Sequence, residues 1–590
     1  MKKKLLYTLL FLATLSVQAQ TWQWAKRGGS VLPPPNGNEK VVSMCVDPNG
    51  NVTVASLVSS SNINIDGNLK TGYSVQYPSS DIAIASFSCD GTYRWSKTIG
   101  GYNTDKIQDV GTDAEGNVYA AGTITVGVTD FGTTTTAYQA HFDTDTILPA
   151  ALQSVNQYKK SMFLIKYDSI GTFKWLRMPQ PDDVTNVTSI SQNSSKNLQV
   201  DGLGNSYWYV YLSPGVYANG NYTVTSPGVT HHILKYDSEG NFVSGLPIDI
   251  VTTGYNDFRF TRNHINGNYY IVGGFSSLAE EGTITIGGQL MAHSKYLAAF
   301  DSTGAFLWTR TNNGNTPWEV QDFDVTFDAN NDLYLTGTTL YSSPLEGPNV
   351  IDGWNGQQFV VPANNSGTFM YVVKMDTMGN TIWQTNSSSV GNAKGIAING
   401  NEVAITGYSH SFIWQGINFI YPNNGGDGQY PFIIRFNKNT GAIIANHYLT
   451  ANSVSSDYGQ RILSDNVGNY LIGGSFQSTM SGFGGSITNV GGSDDFFVAK
   501  FGSASCDFLG ATVFDKKATI LYPNPVLNHL FINTQEVQKY QVYSILGSKI
   551  SEGVLSVGSS IDCSNLTSGV YLLNLINNNG LSTTMKFVKQ

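Results

Sequence analysis

The chain has 590 residues, of which only 13 % are charged, with 62 glycines, 33 basic and 42 acidic side chains. An acidic balance disfavours nucleic acid and anionic lipid as partners. Tyr, Thr, Asn and Ser crowd the apolar segments, and no long stretch carries a 3.6-residue apolar period, so an all-β, turn-rich chain is expected rather than a helical one.

Residues 1–19 have the form of a secretory signal peptide: Lys2, Lys3 and Lys4, an apolar run from Leu5 to Val17, and Val17-Gln18-Ala19 as the small-residue cleavage site. The run is too short to span a bilayer stably. Cleavage after Ala19 removes three lysines and leaves 30 basic against 42 acidic side chains, a formal charge of −12. No later segment has the length of a membrane helix. Four cysteines, Cys45, Cys89, Cys506 and Cys563, are spaced neither as a disulfide-dense scaffold nor as a zinc site. They are expected as buried free thiols.

From Asp47 onward one unit recurs. Its first half reads DPNGNVTVAS from Asp47, DAEGNVYAAG from Asp113, DGLGNSYWYV from Asp201 and HINGNYYIVG from His264, then DANNDLYLTG from Asp328, AINGNEVAITG from Ala397 and DNVGNYLIGG from Asp465. Its second half is as regular, as in FLIKYDSIGTFKW (Phe163 to Trp175) and YLAAFDSTGAFLW (Tyr296 to Trp308). Both halves alternate apolar with polar residues around a tight Asp/Gly turn, the mark of paired, half-buried strands. Seven copies at intervals of 63 to 88 residues mean one supersecondary unit repeated, each burying its apolar face on the next.

The seventh copy stops after its third strand, at Phe501-Gly502. The fourth strand it lacks is matched at the other end, where Thr21-Trp22-Gln23-Trp24 resembles Thr92-Tyr93-Arg94-Trp95. The expectation is a seven-bladed β-propeller over residues 20–502, closed by the N-terminal strand so that no sheet edge is left open. The units resemble the SBBP-type bacterial β-propeller repeats. The FDSTGAFLW version is also similar to the tryptophan-docking motif of quinoprotein propellers and the Asp box of sialidases, but its Asp-to-Gly spacing matches neither.

In such a unit the D-x-x-G turns lie on one face, and their Asp, Asn and Gly are explained by turn geometry alone. The connections on the other face are long and dissimilar, for example Leu57 to Ser80 and Thr339 to Thr368, and variable loops on a rigid scaffold are where binding is expected. Trp318, Trp354 and Trp414 fall outside the repeat register among or beside them, and are the candidate ligand-binding residues, suited to sugar rings or peptide. The alternative is that each packs its own loop.

Catalytic residues, metal ligands and cofactors are not expected. Loop acids include Asp143, Asp145, Asp182, Asp183, Glu280, Glu281, Glu319, Asp352 and Asp427, but sequence does not supply the carboxyl separation a glycosidase needs. His231 and His232, as neighbours on a strand, point to opposite faces. No G-x-S-x-G, H-E-x-x-H, Walker or Rossmann fingerprint is present, and no segment has the D-x-D-x-D-G spacing of a calcium loop.

After Gly502 the register breaks. A polar linker, 503–517, leads to short alternating strands over 518–590 that predict a small C-terminal β-sandwich. Tyr522-Pro523-Asn524-Pro525, Gly547, Gly569, Tyr571 and the closing Lys586 to Lys589 resemble the type A C-terminal sorting domain of type IX secretion substrates. That resemblance implies recognition by the outer-membrane translocon, removal by a sortase-like protease, and release or attachment at the cell surface. Cys563 departs from it, standing where the family usually has an aliphatic residue. Taken together, these features lead to the expectation of an exported, non-enzymatic binding or adhesion module, with a glycan or surface protein as the expected class of ligand. A propeller hydrolase or lyase acting on polysaccharide is the alternative, and a scaffold without a small ligand a third reading.

Overall fold

The computed structural model describes residues 20–32, 39–59, 62–74, 79–130, 135–148, 157–179, 193–253, 256–275, 283–291, 295–312, 323–341, 349–361, 367–422, 428–451, 456–465, 467–502, 506, 521–532, 538–544, 548–556, 560–576 and 582–590. The leader, most of the linker, Trp318 and Gly547 lie outside these residues. The chain divides into two compact units, Met1–Cys506 and Asp507–Gln590.

Alternating apolar residues and Asp/Gly turns produce strands throughout, and the described residues contain no helix. In the first unit the described residues form seven large antiparallel sheets, four of them four-stranded and three extended by hairpin strands; the four-stranded body of each is here called a sector, and all but the seventh are hydrogen-bonded in chain order. Sector one is Val41–Val46, Val52–Ser59, Ser80–Phe87 and Tyr93–Gly100. Sector seven is Tyr458–Ser464, Tyr470–Phe476 and Asp495–Gly502, and its fourth strand is Thr21–Gly29, with Trp22 opposite Phe501 and Trp24 opposite Lys500. The core is not central. It is divided into seven buried clusters, one between each successive pair of sectors, and one of them joins Leu471, Phe496 and Val498 of sector seven to Val54, Ala83 and Ala85 of sector one. Third strands such as Asp495–Gly502, buried on both faces, are therefore almost continuously apolar.

Two devices recur at the joins. A tryptophan on each of several fourth strands packs on the glycine of the next sector's second turn. Gly171 sits at φ +84°, and a Cβ there would lie 2.7 Å from the Trp95 ring, so only glycine admits both the turn and the contact. The Trp95 indole donates to the Ser169 carbonyl, Trp175 to Ser238 and Trp383 to Lys438, and across the terminal join Trp24 donates to Cys89.

The second device corrects the reading of the long connections as dissimilar. Each contains a short hairpin that clasps the last strand of the preceding sector or the residues following it. Ala140–Phe142 pairs with Tyr93–Gly100, Thr479–Ser481 with Thr450–Ala451, and Ile63–Ile65 of sector one with Thr21–Gly29 of sector seven. The expectation of four free thiols is corrected too. Cys89, in the second turn of sector one, and Cys506, four residues past the last strand, form a disulfide across the same join, while Cys45 and Cys563 are buried and free. Cysteines 417 residues apart are brought together only once sectors one and seven meet.

The long-connection ends are held by polar side chains at one register. Eight residues before the first turn, Glu39, Asp105, Asn193 and Asp457 accept the backbone N–H of Ser59, Thr125, Ser213 and Gln477, each twelve residues after it. Desolvation pushes Asp457 and Asp495 up to about 7 and Asp81 to about 6, against hydrogen bonds that lower each.

Trp24→Ala should cost about 3 to 5 kcal/mol and lower the melting temperature; Trp22, whose indole is half-buried against Phe501 and bonded to the Tyr448 carbonyl, should cost less. A carboxyl whose folded pKa is raised stabilises the fold at low pH and loses that contribution as pH climbs through the folded value. Burial lowers His231 to about 3 and His232 and His447 to about 4, which opposes this increasingly at and below pH 6.5. The Asp495 share is isolated by Asp495→Asn. Between pH 8 and 6.5 the variant's unfolding free energy should gain about 1 kcal/mol less than the parent's, and parallel pH profiles in denaturant titrations would count against a raised Asp495.

Candidate functional site

The first turns align the seven first strands. They begin at Asp47, Asp113, Asp201, Asn263, Asp328, Asn399 and Asp465, so the alignment of His264 with the turn aspartates is corrected by one residue: Asn263 takes that place in a longer turn closed by Gly267 N to Asn263 O. First strands neighbour one another in order, and Tyr458–Ser464 neighbours Val41–Val46. Four residues before the turns stand Ser43, Asp109, Asn197, Arg259, Asp324, Gly395 and Arg461. In five sectors the preceding residue, Val42, Gln108, Lys196, Lys394 or Gln460, is a bulge that skips pairing, which bends the strand and re-aims its side chains.

This layer carries two carboxylates and two guanidinium groups. Asp109 accepts from the Ser43 hydroxyl of the preceding sector and, at 2.8 Å, from Leu198 N–H of the next. Asp324 accepts at 3.2 Å from Ile396 N–H of the next sector. Burial pushes both carboxyls above the usual range, and Arg259 and Arg461 act on both in the opposite sense. With their oxygens committed to donors of adjoining strands, these aspartates form a charge-balanced lock between sectors.

Nearer the turns, the same strands line two cavities. One of about 290 Å³ is bounded by Gln199, Thr261, Arg262, His264, Thr326 and Phe327. The other, of about 440 Å³, is bounded by Phe327, Ile398, Ala397, Leu463 and Lys438. They share Thr326 and Phe327, so a compartment walled by Arg262 and Asp201 adjoins one in which Ile396, Ala397, Ile398 and Leu463 stand beside the Asp328–Lys438 ion pair.

The sequence-derived site residues fall elsewhere. Trp354 and Trp414 have no exposed surface, which corrects their assignment as ligand platforms. Trp354 pairs with Asn312 and lies near Tyr371; Trp414 pairs with Ser387, packs on Phe436 and donates to Thr385 Oγ1. Both anchor clasping hairpins to the sector before. Asp143 and Asp145 are paired with Lys70 and Lys97 at 2.9 and 2.8 Å. Asp182, Asp183, Glu280, Glu281, Glu319 and Asp427 lie outside the described residues, as does the Asp352 side chain. His231 meets Tyr209 and His232 meets Tyr222 and Thr230, on separate partners. Among the described residues no three His, Cys, Asp or Glu side chains converge as a metal site. Arg262, His264 and Phe327 were missed, although the fourth copy's HINGN signals the departure.

In the second unit, sheets Leu521–Tyr522/His529–Ile532/Ser560–Asp562 and Lys549–Leu555/Gln538–Ser544/Gly569–Ile576/Ser582–Lys589 share one buried core. The two ends of the sorting motif are hydrogen-bonded to each other at the surface of this unit. Asn524 Oδ1 accepts Val588 N–H at 2.9 Å, its Nδ2 donates to the Lys586 carbonyl, and Val526 N–H bonds the Val588 carbonyl. Tyr571 stacks on Phe587, Gly569 is the register partner of Lys589, and Cys563 is buried where an aliphatic residue would serve.

No curated protein matches the chain. Among solved structures it is similar to a quinohemoprotein alcohol dehydrogenase from Comamonas testosteroni (11 % identity over 87 % of this chain and 80 % of that one, TM-score 0.34). It is likewise similar to the Dos1 propeller (9 %, over 82 % and 95 %, TM-score 0.34) and to a protein of unknown function from Dyadobacter fermentans (9 %, over 81 % and 98 %, TM-score 0.35). These are distant likenesses, and no activity passes from them to this chain. Residues 520–590 match the family described as the secretion system C-terminal sorting domain, and the chain carries a domain of that family there.

Proposed function

We propose that the first unit is a seven-bladed β-propeller closed by its N-terminal strand, and that it serves as a binding or adhesion module delivered to the cell surface or extracellular space by type IX secretion. The observation that carries the export half is the sorting-domain match over residues 520–590, with Tyr522 to Pro525 and Lys586 to Lys589 brought to one end of that domain. The partners on this reading are the translocon and a sortase-like surface protease; the ligand is a glycan or surface protein. Support for closure comes from the pairing of Thr21–Gly29 with Asp495–Gly502 and from the disulfide beside it.

A second reading, a propeller hydrolase or lyase on polysaccharide, is favoured by one observation, the Asp109/Arg259/Asp324/Arg461 layer. Against it stands the commitment of those carboxylates to backbone donors, since a general acid or base needs an oxygen free for substrate. Incubation of the full chain with polysaccharides, followed for new reducing ends or unsaturated products, separates the two: release abolished by Asp324→Asn in a folded protein would favour the enzyme.

A chain ending at Lys517 should accumulate in the periplasm while the full chain reaches the surface. Surface delivery of the shortened chain at the normal level would overturn the export assignment.

A further inference from the structure

We propose that the mouth of the central space at its tight-turn end, between sectors three and seven, binds an amphipathic monoanion: a carboxylate carried on a short aliphatic or aromatic body. The proposal deepens the binding-module reading and rests on it, but places the ligand opposite the long connections.

Sector four departs from its neighbours at the first turn. In four of the seven sectors a turn acid is matched by a cation on the third strand: Lys166 with Asp113 at 4.0 Å, Lys374 with Asp332 at 2.9 Å, Arg435 with Glu402 at 3.1 Å and Lys500 with Asp465 at 3.7 Å. Sector four drops both partners, having Asn263 for the acid and Ala299 for the cation. It instead carries Arg262 one residue before the turn, where the other sectors have Val46, Thr112, Val200, Phe327, Ile398 and Ser464. A cation has moved from behind the turn to the wall of the cavity.

That cation is held by two tyrosines, hydrogen-bonded to Tyr269 and set against Tyr207, with no carboxylate in an ion pair with it among the described residues. The Arg262 guanidinium lies 4.1 Å from the centroid of the buried Tyr207 ring, and Lys235 approaches the same ring at 5.2 Å. Among the described residues neither is in an ion pair with a carboxylate, and Arg262 Nε is buried without a hydrogen-bond partner. Asp201 lines the same cavity, but its oxygens are taken by Leu203 N–H, Asn205 N–H, the Asn205 amide and the Tyr207 hydroxyl. A guanidinium against an aromatic ring keeps N–H donors for a carboxylate, the acceptor its fork geometry matches. Thr261, Gln199 and His264 are the neighbouring polar groups on the cavity wall.

The body of the ligand is read from the other compartment. Past Phe327, which packs on His264 at 5.3 Å, the wall turns to Ala397, Ile398 and Leu463, and Lys438 there is already paired with Asp328 at 3.3 Å. Lys235 lines neither cavity, so an anion at Arg262 has apolar side chains behind it and no second unpaired cation on the walls, which favours one charge and a hydrocarbon tail over a dianion or a polyol. Volumes of about 290 and 440 Å³ lie within the range of small-molecule pockets.

Calorimetry of the full chain with butanoate, hexanoate and octanoate, and with octanamide as the uncharged isostere, tests this. Affinity should rise about threefold to fourfold per methylene, octanamide should bind at least tenfold more weakly than octanoate, and Arg262→Gln should lose at least tenfold for octanoate with the melting temperature unchanged. Phe327→Ala should flatten the chain-length dependence. Equal binding of octanoate and octanamide, unimpaired binding by a folded Arg262→Gln variant, or no heat with any carboxylate at 10 mM would each overturn the site. A glycan or surface protein that binds the parent and Arg262→Gln alike would leave the binding module standing and this pocket refuted.

Discussion

The first unit depends on one pairing that the chain makes with itself: nine residues near its beginning lie along the strand near its end. Without Thr21–Gly29, the strand Asp495–Gly502 would present a free row of N–H and C=O groups, and the clusters on its two sides would lose Trp22, which packs toward sector six, and Trp24, which packs toward sector one. Neighbouring contacts all load onto this join. Trp24 reaches the turn of sector one through the Cys89 carbonyl, the buried Lys500 Nζ donates to the same carbonyl while paired with Asp465, and the Ile63–Ile65 hairpin pairs along Gly28 and Gly29. Gly28 and Gly29 are required there because a Cβ on either would overlap Phe496 or the Asp495 carboxylate. A disulfide between Cys89 and Cys506 then ties the outgoing segment to the sector that the incoming strand has reached. Its entropic effect is largest when the loop it closes is long, and this loop spans nearly the whole unit.

The remaining joins repeat the logic in weaker form. A hairpin seated on or just past the previous fourth strand and, at five of the seven joins, a fourth-strand tryptophan seated on the next turn's glycine lock the sectors together. The apolar clusters between sheets supply most of the burial, while the indole-to-carbonyl bonds fix the angle at which it is made. The acids at the opposite ends serve the same purpose by accepting strand-end N–H groups that would otherwise be unsatisfied. So much ionisable and aromatic chemistry spent on holding neighbours explains why residue type alone is a poor guide to function here. Trp354, Trp414, His231 and Asp143 all have plausible chemistry and all are occupied structurally.

What the sequence disclosed follows the same division. Strands of six to nine residues with Asp/Gly turns show their period, and copies of them can be counted, as can the missing fourth strand whose aromatics reappear at Thr21. The clasping hairpins escaped because strands such as Ile63–Ile65 and Asn68–Lys70 have three residues each, too few to establish a period of two. The disulfide escaped because its cysteines are neighbours only through the arrangement of the seven sheets. The aligned layer from Ser43 to Arg461 was in principle legible, since it sits at a constant distance from the turn, but a layer composed of Ser, Asp, Asn, Arg, Asp, Gly and Arg has no shared chemistry to draw the eye.

That heterogeneity bears on where recognition resides. A position filled alike in every copy serves the repeat, since each sector must solve the same packing problem. Where copies differ at a register that faces common space, packing no longer dictates the residue. The first strands meet both conditions one residue before their turns, running through valine, threonine, arginine, phenylalanine, isoleucine and serine around a shared mouth. Long connections differ as well, but each is built around a hairpin whose inner residues are consumed in clasping the neighbour. Variation in length there reflects hairpins of different reach, whereas variation at the mouth changes charge and shape on a surface whose backbone is fixed by the sectors on either side. Pre-set backbone with varied side chains is the arrangement that gives a small ligand orientation without an ordering cost, which is why the proposed ligand is placed among the shortest turns and not among the long connections.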